Sequence, residues 1–310
     1  MKLTNRYLNV LSGITRKWGY HRKLNQLYKS FNRIALTLGA EPIVRAKMKD
    51  DTTMLVDLST KTERIPFYTG TYDPDLIAVV HSLFNPNCCF LDIGANIGFY
   101  SVSMSRVIKL KNATGSVISF EPFEGNYLRL NKNLEINNLN KICQTSHLGL
   151  SNKAYETEIT LGEDFKHGSN TGSAAIRTSG EMDKGFKVSP IKLEKLDDIW
   201  LKNYNHYGKI DLIKMDIKGH EDFCLEGGQE VIGRHRPTIL MEVNKPYYVA
   251  RHVKLDERFF PLIPENYNIY KKNGSKWKRI TSLNACTTID NVFLVPQEKL
   301  ILDGYNIFEN

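Results

Sequence analysis

No stretch of this 310-residue chain stays apolar for the roughly 20 residues that a membrane-spanning helix needs. A continuous apolar signal core is also missing, because Asn5, Arg6, Asn9, Arg16 and Lys17 interrupt Met1–Tyr20. Cysteine is scarce and unpatterned. Cys88, Cys89, Cys143, Cys224 and Cys286 are odd in number and make no C-x-x-C pair, which speaks against a disulfide framework or a zinc site. No internal repeat is found. These absences predict a soluble chain with reduced thiols in the cytoplasm. The composition, 41% hydrophobic and 25% charged, is that of an ordinary globular protein.

Acids are scarce at one end. Residues 1–50 hold eleven Lys/Arg but only Glu41 and Asp50, a net +9, against +8 for the whole chain, so residues 51–310 stand at −1. Within the basic segment Leu24, Leu27, Tyr28, Phe31, Ile34 and Leu38 recur at three- and four-residue steps, the spacing of an amphipathic helix. Such a helix can lie on an anionic membrane or grip an acidic partner. It can also pack its stripe on the rest of the chain. The sequence thus divides into a basic helical extension over residues 1–50 and a main domain over 51–310.

In the main domain, residues 52–68 ("TTMLVDLSTKTERIPFY") read as one or two short strands with a turn. A helix follows in "DPDLIAVVHSLF", with Pro74 in its first turn. Buried strands are expected at "CCFLDI", "GSVISFEP", "CQTSHLGLSN", "ETEITLG", "DLIKMDI", "TILMEV" and "DNVFLVP". Helices open at "ANIGFYSVSMSRVIKL", "EGNYLRLNKNLEINNL" and "HEDFCLEGGQEVIGRHRP". Asn273-Gly274 marks a hairpin. Strands alternating with helices predict a doubly wound, mainly parallel α/β sheet. Residues 164–187 lack apolar periodicity and are rich in polar residues; Ser169, Asn170, Thr171 and Ser173 are candidates for contact with a sugar, against the alternative of a plain surface loop.

The first buried strand runs into Asp92-Ile93-Gly94-Ala95-Asn96-Ile97-Gly98. This is not G-x-G-x-x-G, the dinucleotide pattern, and no lysine follows Gly98 as a P-loop requires. Asp92 would also repel a phosphate and suits a cationic amine. The second strand ends on Glu121-Pro122, where a carboxylate can take both hydroxyls of a ribose. An amine and a ribose with no phosphate between them describe S-adenosylmethionine. Candidate cofactor-binding residues are therefore Asp92, Gly94, Ala95, Asn96, Gly98, Glu121 and Pro122.

Six segments in order, "FLDIGANIGFYS", "SFEP", "LGLSN", "KLDDI", "IDLIKMDIKGHE" and "RPTILMEVN", make the chain from about Thr71 to Pro296 resemble the FkbM family of S-adenosylmethionine-dependent methyltransferases. The resemblance implies a class I methyltransferase (Rossmann-like) fold, with a seven-stranded sheet whose last strand is antiparallel. It also implies O-methylation, commonly of sugars, glycans, glycoconjugates or polyketide-type metabolites. The family's Asp-x-Glu-Gly-x-Glu motif appears here as Asp216-Ile217-Lys218-Gly219-His220-Glu221, with lysine for the middle acid. Either position 218 points away from the chemistry or the acceptor is more anionic.

Transfer of a methyl group to an alcohol needs a positioned acceptor oxygen and a proton acceptor. Asp216, His220, Glu221 and Glu242 are the candidate catalytic residues. His220 has the side chain best matched to base work near neutrality, though a lone histidine is often structural. Asp216 can instead cap a helix or meet the cofactor amine, and Glu221 can cap the following helix. Asp216, Glu221 and Glu242 could form an oxygen-rich divalent-metal site, but nothing in the spacing demands a metal. Tyr247 and Tyr248 are either acceptor-pocket walls or packing. Two other functions stand beside the sugar O-methyltransferase: a nucleic-acid methyltransferase that uses the basic extension, against which the near-neutral remainder counts, and a binding protein without activity.

Overall fold

The computed structural model describes residues 3–17, 24–161, 174–176, 187–274 and 276–309. Two helices open it, α1 (Leu3–Thr15) and α2 (Leu24–Thr37). A hairpin follows, β1 (Ile43–Lys47) paired antiparallel with β2 (Thr53–Asp57), so the residue-50 boundary falls in its turn. Of the expected stripe on α2 only Tyr28 is fully buried; it turns inward with Asn32 and Ala35 against α3 (Lys61–Thr69) and its surroundings, while Leu27, Ile34 and Leu38 stay exposed. The Tyr28 ring stacks on Tyr68 with centroids 4.5 Å apart. Asn32 donates to the Leu58 carbonyl at 2.9 Å and accepts from the Tyr68 hydroxyl at 2.6 Å. Thr15 and Arg16 at the end of α1 donate to the Tyr68 and Phe67 carbonyls.

The strands expected over residues 52–68 stop at Asp57, and the rest is α3. Thr60 caps this helix by accepting from the Glu63 amide, while Glu63 reaches back to the Asp57 amide at 2.6 Å. The Thr-x-x-Glu spacing outweighs the strand-like composition of the segment, and Pro66 is tolerated near the far end.

The main domain continues with α4 (Pro74–Leu83), β3 (Cys89–Ile93), α5 (Phe99–Leu110), β4 (Ser116–Phe120), α6 (Glu124–Ile136) and β5 (Cys143–Ser146). A small sheet is inserted next: β6 (Gly149–Ser151), β7 (Tyr155–Leu161), β8 (Ala174–Ile176) and β9 (Lys187–Lys195), in the order β6-β9-β7-β8. The single strand expected over 143–152 is thus divided at His147-Leu148 between two sheets. Ser169, Asn170, Thr171 and Ser173 lie outside the described residues. The chain returns through α7 (Leu196–Ile199), β10 (Ile210–Met215), α8 (Glu221–Glu226), α9 (Gln229–His235) and β11 (Thr238–Asn244). The single helix expected before Pro237 is broken at Gly227-Gly228. The remaining elements are α10 (Lys245–Ala250), α11 (Leu255–Phe259), β12 (Tyr267–Asn273), β13 (Lys276–Ile280), β14 (Ile289–Pro296) and β15 (Phe308–Glu309).

The large sheet has nine strands in the order β15-β13-β12-β14-β11-β10-β3-β4-β5. The expected seven are present, with β14 antiparallel to β11; β13 and β15 extend the edge beyond β12. Side chains alternate across β3: Phe90 enters one core, while Cys89, Leu91 and Ile93 enter the other. All five cysteines are free thiols.

Asn32→Ala leaves the buried Tyr68 hydroxyl and Leu58 carbonyl without that partner. It should lower stability by about 1–3 kcal/mol, read as a lower denaturant midpoint at unchanged slope. An unchanged midpoint would show that this hydrogen-bonded contact of the N-terminal layer contributes nothing to the fold's stability.

Candidate active site

Four neighbouring strands each carry an acid at or just past the carboxyl end: β11 has Glu242, β10 Asp216, β3 Asp92 and β4 Glu121. The connections turn in opposite directions on the two sides of β3, which opens a crevice at these ends. A cavity of about 280 Å³ lies there. Gly94, Ala95, Asn96, Glu121, Pro122, Asp216, Lys218 and Glu242 all line it.

The glycine loop is shaped by close approach. Gly94 has φ 75°, and a Cβ there would lie 2.2 Å from the Asp216 carbonyl oxygen. Only glycine allows this loop to touch the loop after β10. Asn96 adopts the left-handed conformation at φ 52°, and its side chain accepts from the Ile97 amide. The Asn96 amide donates to Glu121 Oε2 at 2.7 Å, so the first loop is tied to the end of the second strand. Glu121 Oε1 accepts from the Phe123 amide at 3.0 Å. Burial pushes the Glu121 carboxyl up to about 7, against the downward pull of these two amides.

Asp92 and Gly98 do not line the cavity. Asp92 is fully buried beneath it, accepts from the Ser101 hydroxyl at 2.6 Å and pairs with Lys214 at 3.3 Å. The cation that meets Asp92 is therefore a lysine of the chain itself. Gly98, at φ 92°, lets α6 approach, since a Cβ would lie 2.5 Å from Leu130 Cδ1.

At the other end of the cavity Lys218 sits between two acids. Its ammonium pairs with Asp216 Oδ1 at 2.7 Å and donates to both Glu242 oxygens, at 3.0 and 2.8 Å. Position 218 thus points into the cavity, which excludes the reading that turned it away. Desolvation opposes ionisation of Asp216, but the Lys218 and Lys214 ammoniums outweigh it and hold the carboxyl below its ordinary value. Burial and the Asp216 charge raise Glu242 despite Lys218. The environment drives the two carboxyls in opposite directions.

His220 and Glu221 are not brought to the cavity. His220 bonds through Nε2 to the Ser151 hydroxyl at 2.9 Å, and burial lowers its pKa to about 4. Such an imidazole stays neutral at physiological pH and is a weak base. Glu221 faces its own loop, accepting from the Ile217 and Gly219 amides at 3.0 Å each and from the Tyr248 hydroxyl. It fixes the turn that holds Lys218 at φ 53° and Gly219 at φ 87°. Tyr248 is buried, Tyr247 packs on Gly219, and neither lines the cavity. The oxygen set Asp216, Glu221 and Glu242 is divided by these contacts. Among the described residues no group of three or more His, Cys, Asp or Glu is placed to hold a metal.

The sequence reading missed Lys214, Tyr72, Asp73 and Ile176, all of which line the cavity. Lys214 had a signal: a lysine inside an apolar central strand must find an acid, and Asp92 lies beside it in register. Tyr72 and Asp73 follow a helix that was read as strand, which hid their approach.

The model of the methyltransferase FkbM domain matches residues 92–267. No curated protein matches the chain. Among solved structures, the chain is similar to the methyltransferase FkbM from Methylobacillus flagellatus, at 15% identity and a TM-score of 0.41, covering 76% of this chain and 54% of that one. The chain thus spans about half the length of that protein. It is also similar to an O-methyltransferase from Bacillus cereus in complex with SAH, at 17% identity and a TM-score of 0.38, covering 71% and 76%. The O-methyltransferase TomG from Streptomyces achromogenes, in complex with SAM, matches at 11% identity and a TM-score of 0.39, covering 71% and 75%.

Lys218→Gln removes the cation between Asp216 and Glu242. Both carboxyls should then titrate higher than in the parent protein, as two facing carboxylates repel. Carbon-detected NMR titration of the two proteins checks this. Superimposable curves would show that the ammonium does not control the pair.

Proposed function

The chain belongs to the FkbM methyltransferase family, and from that premise we propose that it is an S-adenosylmethionine-dependent O-methyltransferase acting on a hydroxyl of a sugar, glycan or glycoconjugate. The observation that carries the reading is that one cavity holds both Glu121 at the end of β4 and the Asp216–Lys218–Glu242 group past β10 and β11. The donor set suits this cofactor. Glu121 offers a carboxylate to a diol, and the acids give the cavity a negative balance that suits a sulfonium. Both lining lysines are committed to carboxylates, which leaves neither for a phosphate.

When bound, S-adenosylmethionine supplies a methyl group already activated by positive sulfur. The chain's own residues then have three tasks. Gly94, Ala95, Asn96, Glu121 and Pro122 hold the cofactor. Asp216 and Glu242 hold the acceptor hydroxyl, and Glu242, with its raised carboxyl, accepts the proton. Glu221 acts through Lys218 as a positioning residue, and His220 holds Ser151. The Tyr72 ring, stacked on Phe99 at 4.2 Å and 3°, gives a flat apolar wall, while Asn126, Asn291 and Asp73 add polar groups. A flat wall with polar groups around it suits a hydroxyl-rich ring.

Glu121→Ala should weaken cofactor binding about 10- to 100-fold, the loss of hydrogen bonds to a charged group. Hydroxyls donate to the ionised carboxylate, which is present above its pKa of about 7. Parent affinity should therefore rise as the pH climbs through that value, while the variant's stays flat. Calorimetry either side of neutrality reads both effects, and equal affinities would remove Glu121 from the ribose site.

Glu242→Gln should lower kcat by about 10²- to 10⁴-fold with cofactor affinity unchanged. Full turnover in the variant would remove Glu242 as the proton acceptor. The acceptor class is tested by transferring labelled methyl to a cell extract and treating the products with nuclease, protease or glycosidase. Label that moves only with glycan supports the reading; label released by nuclease overturns it.

A further inference from the structure

The N-terminal layer has a second face. Leu8, Ser12 and Thr15 of α1 and Tyr28, Asn32 and Ala35 of α2 turn inward and are buried. Tyr7, Val10 and Ile14 recur at three- and four-residue steps on the rest of α1 and remain exposed, Val10 at 59%. Leu27, Ile34 and Leu38, at steps of seven and four, are also exposed along α2 and just past its end, Leu38 at 68%. Of the sixteen large apolar side chains that the described residues expose, these six and Ile43 come before residue 44. Aliphatic surface is thus concentrated on the layer that the catalytic site does not use.

The charge around it is predominantly of one sign. Residues 1–45 contain nine Lys/Arg and one acid, Glu41. Lys17, Lys29, Arg33 and Arg45 are exposed, and none of them forms an ion pair among the described residues. Neither helix is long and apolar enough to cross a bilayer.

We infer that the outer face of α1 and α2 docks on an anionic lipid bilayer, with Val10, Ile14, Ile34 and Leu38 entering the headgroup boundary and the lysines and arginines pairing with lipid phosphates. Two other occupants fit less well. A second copy of the chain would set two predominantly cationic surfaces against each other, which is repulsive. A nucleic acid would satisfy the cations but offers no partner to a row of aliphatic side chains. The helices lie on the bilayer rather than in it, with their inner faces still packed on α3. This inference is independent of the acceptor's identity.

The test is co-sedimentation of the full chain with vesicles of phosphatidylcholine alone and of phosphatidylcholine mixed with phosphatidylglycerol. The protein should pellet with the mixed vesicles only, and added salt should weaken the binding. Ile14→Ser with Ile34→Ser should bind at least about tenfold more weakly. Lys29→Glu with Arg33→Glu, at exposed sites without ion-pair partners, should also bind more weakly, and it keeps the test sound if the first variant fails to fold. Four results would overturn the inference. The parent could stay in the supernatant with mixed vesicles. Either folded variant could bind as the parent does. Light scattering could show a dimer that Ile14→Ser dissolves. The purified chain could carry nuclease-sensitive RNA that Lys29→Glu with Arg33→Glu sheds.

Discussion

Acids crowd one edge of the sheet, and two lysines from a single strand and its following turn make that crowding tolerable. Asp92, Glu121, Asp216 and Glu242 stand at the carboxyl ends of four adjacent strands. Desolvated carboxylates at such spacing would otherwise be driven to take up protons. Lys214 reaches from within β10 to Asp92, and Lys218 stands between Asp216 and Glu242. Glu121 forms no ion pair among the described residues; two backbone amides hold it, and burial raises its carboxyl to about 7. The ammoniums of Lys218 and Lys214 hold Asp216 below its ordinary value, while burial raises Glu242 and Glu121. The glycine loop, the turn after β10 and the helix starts are built around this arrangement.

The Asp216–Glu221 segment divides its work among neighbouring residues. Asp216 and Lys218 face the cavity, while Glu221 folds back onto the amides of Ile217 and Gly219. His220 turns to Ser151 on the inserted sheet. The left-handed conformations at Lys218 and Gly219 produce this split, because two successive residues at positive φ reverse the chain sharply. Lysine is an unfavourable residue for such a backbone position. It is held there by charge on one side and by Glu221 on the other.

Much of this was legible in the sequence. Apolar runs ending on an acid marked β3, β4, β10 and β11, and the glycines marked the loop, because burial and backbone geometry leave local traces. Tyr248's bond to Glu221 and Ser151's bond to His220 left none, since those partners are brought together only by the fold. For that reason His220 looked like a base, whereas its ring is buried and bonded to Ser151 away from the cavity. Asp92 looked like an amine site because its partner Lys214 lies across a strand pair rather than along the chain. Residues 61–69 were misread because a single cap at Thr60 decided the matter over a strand-like composition.

The N-terminal layer is not an appendage. Leu8, Tyr28 and Ala35 belong to the same continuous core as Phe90, Val117 and Phe293. Apolar surface buried across the layer and the sheet is exposed on both if they part. Parting α1 and α2 from α3 would strip Tyr68 of the Tyr28 ring stacked on it and of the Asn32 amide that its hydroxyl meets. The surface that meets the outside and the sheet that carries the chemistry are therefore joined through one core.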